Sequence, residues 1–171
     1  MPSGKVHDRI TLVTAAAAVP LWWTLLSAKN PLAFLVGLAA YLFSGFWLSD
    51  DLDTASLCYK RWGLLRCLWW PYRKIVPHRS WLSHGLGVGP LLRVGYFAVM
   101  VWAAARGILW LVNRYVMPVD RDTVLHHAGA DVAWLLLAHP VWTWYALAGL
   151  ILGGVAHTIA DAVVSFAKHI W

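Results

Sequence analysis

From Ile10 to Ser27 the chain carries no charged side chain, and Lys29, Asn30 and Pro31 then break the run. A second uncharged run starts at Pro31, a residue tolerated in a first helical turn, and continues to Leu48. Each is about 18 residues long, enough for one helical crossing of a bilayer core. Between Ser49 and about Pro90 the pattern turns polar and irregular, with three aspartates, six Lys or Arg and two histidines. Within it, Tyr59 to Tyr72 mixes basic residues with Trp62, Trp69 and Trp70 and reads as a helix lying in the membrane interface, cations toward headgroups. A third apolar span runs from about Leu91 to Val112, with Arg93 and Arg106 near its ends, from which long arginine stems can snorkel to water. Asn113 to Pro140 is polar again except for Val132 to Ala138, an apolar piece too short to cross, and the last span begins near Val141 and is uncharged until Asp161.

The pattern predicts an all-α fold: an integral membrane bundle of about four transmembrane helices in a single domain, 1–171. The spans are expected at about 10–27, 31–48, 91–112 and 141–160, with a loop at about 49–90 that holds an interfacial helix and most of the polar chemistry. No internal repeat, low-complexity tract or second domain is visible.

Composition supports the bilayer as solvent. Hydrophobic residues make up 60% of the chain and charged ones 13%, whereas soluble domains carry roughly 25% charged residues. Thirteen tryptophans fit the same reading, because the indole ring favours the interface. All eight acidic residues are Asp and none is Glu, which points to caps, turns or metal ligands more than to a solubilising surface. Cys58 and Cys67 stand nine apart, which matches neither a C-x-x-C redox pair nor a zinc-finger spacing, so both are expected as reduced thiols packed as small apolar groups.

Basic residues orient the spans. With the N-terminus inside, the cytoplasmic segments hold Lys5, Arg9, Lys60, Arg61, Arg66, Arg73, Lys74, Arg79 and Lys168, and the other side holds Lys29, Arg114 and Arg121. The positive-inside rule therefore places both termini in the cytoplasm, at a cell inner membrane. A cleaved signal peptide is the competing account of the first span, but its run is long for an h-region, and His7 and Asp8 sit oddly in an n-region.

That topology gathers the candidate chemistry on one face. His7 and Asp8 precede span one; Asp50, Asp51 and Asp53 follow span two; His78 and His84 precede span three; His157 and Asp161 end span four. His157 and Asp161, spaced i, i+4, project from one side of a helix and could share an ion or form a hydrogen-bonded terminal pair. Gly153, Gly154 and Ala156 would let another helix approach there. Close carboxylates at Asp50, Asp51 and Asp53 repel unless a cation or proton lies between them, and capping explains only one of them. In the segment Pro77 to Gly85, His78 and His84 stand six apart, and Ser83 is expected to cap a helix beginning near His84. His126, His127 and His139 fall on the opposite side, and His169 belongs to the C-terminal tail. Gly85, Gly87 and Gly89 lack a preceding strand and are not a nucleotide fingerprint.

The assembled residues resemble a family of small bacterial membrane proteins, common in cyanobacteria, described as metal-binding and of unassigned function. Its opening, M-P-S-G-x-x-H-D-R-I-T, is reproduced by Met1 to Thr11. Further marks are similar to Asp51-Leu52-Asp53, Tyr59-Lys60-Arg61-Trp62-Gly63, Pro71-Tyr72-Arg73-Lys74, His78-Arg79-Ser80 and Ser83-His84-Gly85, with His157 and Asp161 beyond them. The family usually places proline where this chain has Asp50. A looser similarity, to bacterial membrane-bound metal-dependent hydrolases, rests on a pattern of His, D-x-D, a paired-histidine segment and H-x-x-x-D. The paired histidines usually stand closer than His78 and His84.

The leading expectation is a metal-dependent hydrolase of a phosphoester or lipid-associated ester at the cytoplasmic leaflet. One or two divalent ions, Zn²⁺ or Mn²⁺ with Fe²⁺ also suited, would be held by His7, Asp51, Asp53, His78, His84, His157 and Asp161 and would lower the pKa of bound water toward about 7. Asp8 or Asp50 would serve as general base, and Arg79, Arg73 or Lys74 would clamp an anionic or phosphorylated substrate. Membrane lipids are the other expected partner, and nucleic acid is not. The alternative is a non-catalytic protein whose metal is structural or sensory.

Overall fold

The computed structural model describes residues 4–24, 30–78, 80–85 and 87–170, with the backbone alone described for Leu21, His84, Ser165 and residues 167–170. The described residues are overwhelmingly helical and include no strand. Among the described residues eight α-helices follow one another: α1 (Gly4–Trp22), α2 (Pro31–Trp47), α3 (Leu57–Arg61), α4 (Trp70–Ile75), α5 (Trp81–His84), α6 (Val88–Tyr115), α7 (Arg121–Ala138) and α8 (Pro140–Ile170). Two 3-10 helices, Asp50–Asp53 and Gly63–Trp69, lie between α2 and α4.

Among the described residues, three helical segments are long and apolar enough to cross a membrane: Pro31–Asp53, Val88–Tyr115 and Pro140–Val164. These correspond to the second, third and fourth expected spans. The first differs. Helix α1 starts at Gly4 instead of Ile10, so Lys5, His7, Asp8 and Arg9 occupy its opening turns and dilute the apolar run, while residues 25–27 of the expected span lie outside the described residues. The early start is what carries His7 into the bundle on a rigid element.

Helices α2 and α8 form the most extensive pair, and glycines set how closely they pack. A Cβ at Gly149 would collide with the Gly37 carbonyl, and one at Gly153 with Ser44 and the Tyr41 carbonyl. Ser44 Oγ donates to the Leu150 carbonyl at 2.7 Å, so a hydroxyl within apolar surroundings is satisfied across the same seam. Helix α1 leans on this pair. Its Thr14 hydroxyl meets the Tyr41 hydroxyl at 2.5 Å, and a Cβ at Gly45 would strike Thr11.

The polar segment is an ordered cap on one end of the bundle. Leu48, Leu52, Cys58, Trp69, Tyr72 and Val76 form a buried cluster, against which Tyr96 and Phe97 of α6 pack. Trp69 is fully buried and stacks on Phe97, so it is a core residue and not an interfacial one. Leu64, Leu65 and Trp70 are exposed. Cys58 is buried, and burial pushes its thiol up to about 11, whereas Cys67 is exposed and departs from the expected apolar packing. Helix α7 is a further departure. Asp120 caps it by accepting from the Thr123 amide at 3.2 Å, and 18 residues become helical where the apolar pattern predicted only a short piece.

Candidate metal centre

Three chain segments deliver the polar side chains. After α2 ends, the chain tightens into the 3-10 helix Asp50–Asp53, pinned by the fully buried Leu52 and by the Ser56 and Thr54 hydroxyls, which donate to the Asp51 carbonyl at 2.8 and 3.0 Å. With three residues per turn, neighbouring side chains of such a turn point in different directions. Its three carboxylates accordingly go to three destinations. Asp50 reaches Arg93 of α6 and Thr158 of α8, Asp51 faces His7 and His157, and Asp53 accepts from His78 Nδ1 at 2.9 Å.

The Asp51 branch is a cluster drawn from both ends of the chain. His7 and His157 stack with ring centroids 3.9 Å apart. His7 Nε2 lies 3.3 Å from an Asp161 oxygen and 3.9 Å from Asp51 Oδ2, and His157 Nε2 lies 3.8 Å from Asp161 and 3.6 Å from the same Asp51 oxygen. Most of these separations are too long for hydrogen bonds. They are close to the spacing of two donors on one ion, because ligands at 2.0–2.1 Å in tetrahedral geometry sit about 3.3 Å apart.

Burial makes the cluster costly as it stands. His7, His157 and Asp51 are 4%, 3% and 7% exposed. Both ring nitrogens of each histidine and Oδ1 of Asp51 have no hydrogen-bond partner. Such groups are rare in native interiors, and a cation accounts for them together. Two imidazoles supply nitrogen, two carboxylates supply oxygen and two negative charges, and a divalent ion would neutralise the pair that otherwise repels. The residues present therefore fit a metal. His7, His157 and Asp161 alone place donor atoms within 4.8 Å of one another, and they are the one such group among the described residues.

The other candidates have different surroundings. Asp8 is held by both terminal guanidinium nitrogens of Arg61, which also donates to the Phe46 carbonyl at 3.1 Å. That pairing holds Arg61 even more firmly protonated. Asp50 is wholly buried with both oxygens engaged, and Asp8, paired with Arg61, borders the same small cavity as His7, Asp51 and His157. Asp53 and His78 pair with each other, outside the group formed by His7, His157 and Asp161. Arg79 lies outside the described residues, as does the side chain of His84. Arg73 sits over the Tyr59 ring at 4.4 Å, and Lys74 is exposed. Ser80 and not Ser83 caps α5, accepting from the Ser83 amide at 3.2 Å.

Space around the cluster is small. The cavity against His7, Asp51 and His157 measures about 10 Å³, enough for roughly one water-sized body. Larger cavities along α1, α2 and α8, including one of about 280 Å³ bordered by Thr14, Trp22 and Tyr41, are apolar and have none of the four cluster residues in their walls.

Fold and site together define an all-helical protein with a largely buried cluster of two histidines and two aspartates that could hold a metal ion. The chain belongs to the family described as uncharacterized metal-binding protein (DUF2227), which it matches over residues 2–171. Searches of curated proteins and of solved structures find no match. Sequence reasoning had not seen Arg61 as the partner of Asp8, nor Arg93 and Thr158 as partners of Asp50. An arginine inside one apolar span, facing an aspartate at the end of another, was the signal available for the second.

Proposed function

We propose that this is a membrane protein in which a single divalent cation, bound by His7, Asp51, His157 and Asp161, ties the two ends of the chain to the cap of the bundle in a structural or sensory role. The observation that supports it is the convergence of donor groups from α1, the 3-10 helix and α8: His7, Asp51 and His157 border a space of about 10 Å³, and the half-buried Asp161 lies 3.3 Å from His7 Nε2. Four protein ligands complete a tetrahedral shell, whereas catalytic sites keep one position open. Zn²⁺ and Mn²⁺ suit the mixed nitrogen and oxygen donors. The three apolar helices and the surplus of Lys and Arg in the cap support an inner-membrane location with both termini cytoplasmic. In such a protein the binding energy of the metal adds to the stability of the fold, and the state of the bundle follows the cation concentration.

Hydrolysis of a phosphoester or lipid ester would need an open coordination position and room for substrate beside it. The test is one preparation read three ways: metal content after purification in detergent, melting temperature with and without chelator, and turnover of phosphoester and lipid-ester substrates. The expected outcome is one bound ion, a lower melting temperature after chelation and no turnover. Metal-dependent turnover that disappears in His157→Ala would overturn the structural reading in favour of catalysis.

A further inference from the structure

Arg93 lies in the apolar helix α6, yet neither it nor its partner is in contact with water: the side chains of Arg93 and Asp50 are both 0% exposed. Its guanidinium spans two elements, donating through Nη2 to Asp50 Oδ1 at 2.5 Å and through Nη1 to the Ser83 carbonyl at 2.7 Å. The other Asp50 oxygen accepts from the Thr158 hydroxyl. Glycines make room for this arginine. A Cβ at Gly154 would collide with Pro90 and crowd Arg93, and one at Gly89 would collide with the Ser83 carbonyl and crowd Arg93 as well.

A buried ion pair of this kind is a poor device for stability, because desolvating two charges offsets most of their attraction, and well-packed apolar residues often serve as well or better. What it does provide is direction. Asp50 adjoins Asp51 on a turn whose side chains diverge, and Thr158 adjoins His157 on α8. Fixing Asp50 from two sides fixes the turn that aims Asp51, and the Thr158 hydrogen bond ties that turn to the part of α8 that carries His157. Helix α6 places none of its own residues in the cluster.

We propose that Arg93 is a positioning residue for the metal centre, acting through Asp50 and Thr158 to hold Asp51 and His157 at a common ion. The inference rests on the metal site proposed above. Partners behind metal ligands typically govern affinity by 10- to 100-fold.

The experiment measures affinity for Co²⁺ and Zn²⁺, together with the melting temperature of the metal-free form, in the full-length protein in detergent. The double variant Arg93→Met with Asp50→Leu is expected to keep the metal-free melting temperature and to lose about 10- to 100-fold in affinity. Arg93→Lys, which keeps the charge but not the two-handed fork, is expected to fall between it and the wild type. Thr158→Val removes one hydrogen bond without changing shape and serves if the double variant fails to fold; a loss of severalfold in affinity with an unchanged metal-free melting temperature is expected. Cobalt absorption in the variants should also show an altered ligand field. Variants that bind as tightly as the wild type would overturn the positioning role and leave the site intact, whereas a wild type that binds neither ion would overturn the site itself.

Discussion

His7 and His157 stand at opposite ends of the sequence and stack with their rings 3.9 Å apart and 19° from parallel. Each presents Nε2 to the same two carboxylates, Asp51 and Asp161. A shared cation would account for two buried imidazoles with no hydrogen-bond partner on any ring nitrogen.

Removing one donor should therefore cost more than removing a supporting partner. His7→Ala and Asp51→Asn are expected to weaken metal binding by more than about 100-fold, since partners behind the ligands alone are worth 10- to 100-fold. Equilibrium competition with a chromophoric chelator measures this, and retention of wild-type affinity in either variant would remove that residue from the site.

Asp8 makes a different prediction, because its charge is engaged by Arg61 at partial exposure. Asp8→Asn should lower stability by about 1 kcal/mol or less and leave metal affinity unchanged. A loss of metal with no loss of melting temperature would instead make Asp8 part of the centre.

The histidines and aspartates at the ends of the apolar runs were legible in the sequence, since an orientation drawn from Lys and Arg alone put His7, Asp51, His157 and Asp161 on one face. What could not be read was how the turn after α2 distributes its carboxylates. A 3-10 helix and an ordinary capping turn share the string Asp50-Asp51-Leu52-Asp53, and only the packing of Leu52 and Trp69 selects between them. Arg93 misled for a related reason. An arginine near a span end reads as snorkelling toward water, and the acceptor that keeps it inside comes from a distant part of the chain. The extent of α7 was hidden because nothing on it is buried, leaving no apolar period to follow.

The seam between α2 and α8 depends on the absence of side chains at Gly149 and Gly153. Gly149→Leu should separate the helices and cost roughly 1–3 kcal/mol or more. Because His157 rides on α8, metal affinity should fall with it. Thermal denaturation and metal titration of the same sample check both effects, and a variant with the wild-type melting temperature would refute the close approach.

The two thiols report on the cap. Cys58 is buried with its thiol pushed up to about 11, and the thiolate is the reactive form, so a maleimide at neutral pH should label the exposed Cys67 and spare Cys58. In intact cells the proposed orientation requires that Cys67 resist a membrane-impermeant maleimide until the membrane is opened. Labelling from outside would reverse the topology.

Metal content measured on the purified wild type and on His157→Ala tests the central claim most directly. The account predicts about one divalent ion per chain in the wild type and little in the variant, with both samples helical by circular dichroism. A folded wild type free of metal, or a variant that retains the same content, would contradict it.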